Sequence, residues 1–268
     1  MMINLLDIRI RNKINFLGKK VIGFFDYVGV LSRLGLETVY WIFLPPIKKE
    51  RIFEQAKKIG IDSLFIVSLV AMFIGMIFAM QSAYLMKKLS SEMYIASIVA
   101  LSLTRELGPV ITALIIAGRC GAAITAEIGT MTVTEQVDAL KTLATNPIKY
   151  LVVPRFVAFV IMLPVLTIYA DIIGIFGGYV ICVNRLSITS GMYIHTTFHS
   201  LVNKDIFTGL IKAIFFGMII SLVACNEGLN AEGGAEGVGK STTKSVVLSF
   251  ILIIIADCLF TALFYFFF

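Results

Sequence analysis

The chain has 268 residues, 58% of them hydrophobic and 15% charged, and its mean hydropathy is +0.92. Soluble domains average about 45–50% apolar residues, so this composition, combined with several long apolar runs, excludes a soluble domain and indicates a multi-pass membrane protein. The formal charge of +6 raises nucleic acid as a partner, but no nucleic-acid-binding motif is present, and in so apolar a chain the placement of the basic residues matters more than their total.

Residues 1–31 carry apolar side chains at steps of three or four, among them Ile3, Leu6, Ile10, Ile14, Leu17, Val21, Phe24 and Val28. Arg9, Arg11, Lys13, Lys19 and Lys20 crowd the remaining faces. A basic amphipathic helix of this kind suits a membrane surface or packing on the protein's own bundle. No secretory signal is expected, because residues 1–20 lack an uninterrupted apolar core. The segment 36–47 adds Tyr40, the single tryptophan Trp41 and Phe43, which favour headgroup depth, but it is too short to cross a bilayer. Pro45-Pro46 turns the chain, and 48–58 reads as charged and solvated.

Five spans follow, at about 61–86, 94–118, 154–181, 208–225 and 245–267. The second contains Arg105 and Glu106. Neither half of it is long enough to cross alone, so both charges lie at membrane depth or in a wet cavity. Neighbours in sequence do not face each other on a helix, so each needs a partner elsewhere. Pro109 lacks the N–H that the Arg105 carbonyl would use in a regular helix, and Gly108 eases a bend there. Such charges face a cavity or a neighbouring subunit. They either line a substrate path, with Arg105 able to meet a phosphate, or form a structural ion pair; the first reading is preferred. Asp171 and Asp257, also inside apolar spans, read as polar contacts between helices rather than substrate contacts. Lys212 is expected to snorkel from a span end to the interface.

Between the second and third spans, Gly118, Gly121, Ala122, Ala123, Ala126 and Gly129 form a small-residue face suited to close helix packing. Glu127 ends that segment. Thr132 and Glu135 then have capping-box spacing, and Val133, Val137, Leu140 and Ala144 recur at helical steps while Glu135, Gln136, Asp138 and Lys141 fall elsewhere. Asn146-Pro147 ends this helix of about three turns. It could dock into a groove on a soluble partner or lie on the membrane surface.

Residues 234–241 match the phosphate-loop pattern GxxxxGK[ST]. That loop needs a preceding strand and an α/β domain, and neither fits between two membrane spans. Residues 226–244 therefore read as a glycine-rich connector, mobile through glycine. His195 and His199, at i and i+4, lack further ligands for a metal. Cys120, Cys182, Cys225 and Cys258 are far apart with no CxxC pair, so they imply neither a disulfide framework nor a zinc site and read as packing residues. No nucleophile arrangement or carboxylate cluster suggests catalysis. No cofactor or metal is expected.

Five spans place the termini on opposite sides. With the N-terminus in the cytoplasm, 17 of the 23 Lys and Arg lie inside and 4 outside. The positive-inside rule therefore puts the C-terminus outside and the 132–146 helix in the cytoplasm.

The run RELGPVITALIIAGRCGAAITAEIGTM, followed by VTEQVDAL and NPIKYLVVPR, resembles the MlaE (YrbE) family of permeases. The match is densest from Thr104 to about Gly178, with a second patch at Gly233–Val247; residues 1–60 show only general similarity. The resemblance implies a permease subunit of an ATP-driven lipid transporter, with phospholipid the usual substrate. It also implies a homodimer, a separate ABC ATPase subunit and an MCE-domain lipid-binding protein, in a bacterial inner membrane or, for a plastid-bearing source, the plastid inner envelope. The expected architecture is all-α and integral to the membrane. Residues 1–60 form the basic interfacial region, and 61–268 form the five-span permease domain with its cytoplasmic coupling helix. Arg105, Glu106, Gly108 and Pro109 are expected on the substrate path. Glu127, Thr132, Glu135, Val137, Asp138 and Leu140 are expected to couple it to the ATPase. The alternatives are a secondary transporter or channel without an ATPase, for which only scattered acids are present, and a membrane-bound lipid enzyme, for which no reactive cluster is present.

Overall fold

A computed structural model describes the backbone of residues 2–44, 48–89, 91–186 and 188–267, with side chains from Ile22 to Phe266. The apolar stripe before Ile22 and the Pro45-Pro46 turn lie outside the described residues. Those residues are almost entirely helical and contain no strand. Five helical runs are long and apolar enough to cross a membrane: Lys49–Lys88, Glu92–Val133, Ile148–Arg185, Asn203–Leu229 and Gly234–Phe266.

Helix α1 (Met2–Ile42) precedes them as one continuous helix, with Tyr40 and Trp41 of the aromatic segment at its C-terminal end. Leu31 and Thr38 are buried, while Phe25, Leu36 and Tyr40 face outward. The first span joins α2 (Lys49–Ile59) to α3 (Leu64–Lys88) through a short 3-10 turn. The expectation that 48–58 is simply solvated fails, because α2 packs on the third span and buries Gln55 and Ile59. The second span is segmented: α4 (Ile95–Ser102), a π-helical turn at Leu103–Leu107, α5 (Gly108–Ile116), a second π turn at Ala117–Gly121, and α6 (Ala122–Val133). After α7 (Gln136–Thr142), a π turn at Ile148–Val152 leads into α8 (Val153–Arg185). Then come α9 (Ser190–Ser200), α10 (Asn203–Leu229) and α11 (Gly234–Phe267).

Each span is longer than its apolar run. The 42-residue second run is about 60 Å long at 1.5 Å per residue, twice the hydrocarbon thickness, so part of it extends beyond the lipid core. Local polar contacts hold that extension. Arg119 donates to Ser63 Oγ at 2.5 Å and to the Lys58 carbonyl at 3.2 Å. Thr125 Oγ1 bonds Ser245 Oγ at 2.8 Å and the Ala224 carbonyl at 3.1 Å. The expected mobile connector at 226–244 is helical on both sides, leaving only residues 230–233 between α10 and α11, with Gly233 and Gly234 at positive φ.

The main core is built from α3, α5, α6, α8 and α10 around Ile116, Ile128, Phe159, Leu163, Phe216 and Ile220. A second cluster under α9 contains Val99, Leu103, Cys182 and Tyr193. Helices α3 and α8 approach closely at paired glycines. A Cβ added at Gly75 would fall 1.8 Å from the Gly174 carbonyl oxygen. By contrast, Gly118, on the expected small-residue face, meets only Phe250, at 3.9 Å. Gly75→Ala is therefore expected to force the helices apart and to cost about 1–3 kcal/mol, seen as a lower thermal-unfolding midpoint of the purified protein. Gly191→Ala, with no neighbour inside 4 Å, leaves that midpoint unchanged.

Candidate functional site

The charges of the second span converge with others on α10 and α11. Arg105 and Glu106 sit on the π turn Leu103–Leu107, where the wider i→i+5 geometry absorbs the hydrogen bond that Pro109 cannot make. They point to different partners. The Arg105 guanidinium lies 3.7 Å from Asp205 Oδ1, and its side chain remains 49% exposed. Glu106 pairs with Lys212, whose ammonium also lies 2.9 Å from Asp257 Oδ1 and donates to Thr261 Oγ1 at 2.7 Å. Thr261 in turn donates to Glu106 at 3.1 Å. One lysine thus ties three helical segments together between two carboxylates.

Lys212 is 1% exposed while Glu106 is 39% exposed. The snorkelling expected of Lys212 does not occur: nine residues into α10, its amine finds two carboxylates on neighbouring helices and stays buried. Asp257 is an inter-helix contact, as expected, but within this ion cluster. Gly108 has an ordinary helical φ of −59° and does not act as a bend. Its missing side chain makes room for Asp171, whose Oδ1 would lie 1.8 Å from a Cβ there. That buried oxygen has no hydrogen-bond partner among the described residues. Pro109 packs near Gly209, where a Cβ would meet the Thr104 carbonyl oxygen at 2.2 Å, so α10 runs tightly against the π turn.

At the opposite end of the second span, α6 runs on through Val133. The expected capping box is absent: Thr132 lies inside the last turn of α6 and bonds the carbonyls of Ile128 at 3.0 Å and Gly228 at 3.1 Å. Glu135 turns the chain with φ +60°, and α7 has seven residues rather than three full turns. Asn146 belongs to the next element, accepting from the Ile148 and Lys149 backbone N–H groups at 2.8 and 3.3 Å. Val137 is 5% exposed and Leu140 is half-buried, so the apolar face of α7 is used by the chain itself. Glu135, Asp138 and Lys141 are exposed, with Lys141 bonded to Asp138 at 2.7 Å. Leu143 stands out at 74% exposure. Buried Arg155 pairs with Glu127 at 3.0 Å and donates to the Leu151 carbonyl at 2.8 Å. This strap ties α6 to the start of α8 across the connector.

A sequence profile of the Permease MlaE family matches residues 52–263. The chain belongs to the MlaE permease family. It is 47% identical over 254 residues, covering 95% of this chain and 98% of the relative, to a probable ABC transporter permease protein of Rickettsia felis. It is 43% identical over 211 residues to a Synechocystis protein described in the same terms, covering 79% of this chain and 80% of that one. It is 38% identical over 255 residues to the intermembrane phospholipid transport system permease protein MlaE of Haemophilus influenzae, covering 94% and 97%.

In this MlaE-family permease the site divides between the two ends of the bundle. Spans alternate direction, so the ion cluster beside the first half of α10 lies toward the end of the bundle opposite α7. The sequence reading found Arg105 and Glu106 but not Asp205 or Thr261, and it placed Lys212 elsewhere. The missed signal was four ionisable groups recurring in three apolar runs. The GxxxxGKS letters lie in the first two turns of α11, with Lys240 held by Glu236 at 2.7 Å. No strand precedes them, so the segment lacks the loop geometry of a phosphate cradle. Nearby, Lys244 pairs with buried Glu227 at 2.9 Å, and burial together with Glu227 pushes the Tyr27 phenol pKa up. His195 and His199 stack on α9 with ring centroids 5.8 Å apart. No group of three His, Cys, Asp or Glu suited to a metal occurs among the described residues. Cys120, Cys182 and Cys225 are buried and free, but Cys258 is exposed rather than packed.

Proposed function

We propose that this permease is the membrane subunit of an ATP-driven transporter that moves lipid, with phospholipid its substrate class. It works as a homodimer in a bacterial inner membrane, N-terminus in the cytoplasm and C-terminus outside. A separate ABC ATPase docks at the α7 face, and an MCE-domain protein receives or delivers lipid at the other. The chain hydrolyses no ATP itself. Residues 61–268 carry the transport unit and residues 1–60 the interfacial element before it.

The observation that supports this reading is the partial exposure of Arg105 and Glu106 within the apolar second span. Charges there need a cavity or a second subunit to cover them, and a two-fold axis supplies both at once. Arg105 is only loosely held by Asp205, so its guanidinium can turn to a lipid phosphate, for which its planar donors are suited. Glu106 and Lys212 hold the π turn in place beside it. ATP-driven closure of the partner ATPases pushes α7. The Glu127–Arg155 strap passes that movement to the second and third spans, and the cavity at the π turn changes shape around the lipid.

The test is fluorescent phospholipid transfer by the permease reconstituted with its ATPase in vesicles. Arg105→Ala with Glu106→Gln is expected to lower ATP-dependent transfer by more than ten-fold with the complex still assembled. Transfer at the wild-type rate would make the pair structural.

A further inference from the structure

One titratable group inside the spans takes no part in the ion cluster. Asp171 lies on α8 in the apolar third span and forms no ion pair among the described residues. Its Oδ1 is buried without a hydrogen-bond partner. The elements packed on α8 supply no counter-charge. Helices α4 and α5 carry no titratable side chain, and α3 carries none before Tyr84. Arg105 is paired with Asp205, and Lys212 with Glu106 and Asp257. Gly60, at the end of α2, meets α8 at Met162, more than two turns before Asp171, and His195 and His199 of α9 are exposed. On α8 itself, Tyr169 is bonded to Ser68 Oγ at 2.6 Å. A second polar atom is orphaned on the facing helix. Thr112, one turn after Gly108 on α5, is 1% exposed, and its Oγ1 also lacks a partner.

A cavity of about 10 Å³ opens between α3, the π turn, α5 and α8, with Leu103, Gly108, Thr112 and Ala170 in its lining. That is room for about one water. The Leu103 carbonyl borders the same side of Gly108. The point where a Gly108 Cβ would stand is 1.8 Å from Asp171 Oδ1 and 2.9 Å from that carbonyl oxygen. A carboxylate and a carbonyl both only accept hydrogen bonds. An ionised Asp171 would therefore set an unpaired charge against an acceptor inside an apolar span, which is costly. A protonated carboxyl removes the charge and supplies a donor. We propose that Asp171, Thr112 and the Leu103 carbonyl form a proton-binding site in the core of the bundle, with the Asp171 carboxyl neutral in this packing. The ligand is a proton rather than a metal ion. The other walls, Val67, Ile74, Leu107 and Ile111 among them, offer no side-chain oxygen, whereas a hard cation takes about six oxygen ligands. The site is separate from the ion cluster but abuts the turn Leu103–Leu107. The turn that presents Arg105 and Glu106 thus rests on an uncharged carboxyl.

The test is infrared difference spectroscopy of the purified full-length protein in neutral detergent at neutral pH, in potassium chloride. Wild type is expected to show the carbonyl band of a protonated carboxylic acid, and Asp171→Asn to lose it. Thr112→Val removes the hydroxyl and is expected to shift that band without abolishing it. If Asp171→Asn fails to fold, aspartate labelled with heavy carbon in its carboxyl identifies the band in the wild-type protein by its isotope shift. Thr112→Val then assigns it to this site rather than to Asp205 or Asp257. A spectrum in which Asp171→Asn loses no protonated-acid band, or in which no aspartate band responds to Thr112→Val, would overturn the site. Loss of the wild-type band when sodium chloride replaces potassium chloride would assign the site to a metal cation and overturn the proton. Because lipid transfer is not the readout, the result stands whether or not Arg105 and Glu106 prove to line the transport path.

Discussion

Lys212→Met is expected to cost about 3 kcal/mol of stability and to abolish lipid transfer. The lysine is the single cation between Glu106 and Asp257, and its amine is buried. Removing one member of a buried ion pair costs about 3–5 kcal/mol, because the charge left behind has lost both water and partner. The lower end of that range applies here, since Glu106 is 39% exposed and water can reach it. Methionine keeps the length of the side chain and fills the same space, so the loss reports charge rather than a cavity. The companion variant Glu106→Gln, Lys212→Met, Asp257→Asn removes all three charges. It is expected to regain most of the lost stability, because a neutral cluster carries no unpaired charge, yet not to regain transfer. Thermal unfolding and vesicle-based transfer, measured side by side, check both statements. Wild-type stability of Lys212→Met alone would mean that the two carboxylates are solvated and the cluster does not hold the bundle.

Two aspartate substitutions six residues apart, at Val137 and Leu143, should fail in opposite ways. Val137→Asp places a carboxylate at a position only 5% exposed. The cost of burying a charge without a partner runs to several kcal/mol, so α7 detaches and the protein loses stability. Leu143→Asp changes a residue that is 74% exposed and has little to lose within the chain. Its unfolding midpoint is expected to stay within a degree of wild type. If Leu143 is an apolar anchor for the ATPase, its loss costs about 2 kcal/mol of binding, roughly a thirty-fold weaker complex, and ATP-dependent transfer falls with it. Co-purification of the ATPase, together with the two unfolding curves, separates the cases. Full assembly and transfer in Leu143→Asp would remove this side chain from the docking surface.

The sequence reading of the fold succeeded where the signal was local and failed where it was not. Five apolar runs announce five crossings, and Arg105 and Glu106 are visible because they interrupt one of them. Their partners were not visible: Asp205 and Lys212 are a hundred or more residues away, and nothing in a single run says which charge faces which. The helices run on past the expected span ends for the same reason. Arg119 and Glu127 look like span ends in isolation, but Ser63, the Lys58 carbonyl and Arg155 satisfy them, so the helices continue past them. Thr132 and Glu135 have the letters of a capping box, yet the Thr132 hydroxyl is taken by carbonyls of its own helix and of α10, and the cap does not form. On α7 the apolar stripe reads as a surface for a partner or for the membrane, yet Val137 is buried within the chain. What covers it is this chain, and the surface left for a partner is polar with Leu143 at its edge.

The account rests on α7 standing on the cytoplasmic side, where an ATPase can push it. A single cysteine at position 143, in a protein with Cys258→Ser, tests this with a membrane-impermeant maleimide. The prediction is labelling in inside-out membrane vesicles, none in intact spheroplasts, and protection when the ATPase is bound. Labelling of intact spheroplasts would place α7 on the far side of the membrane and contradict the mechanism.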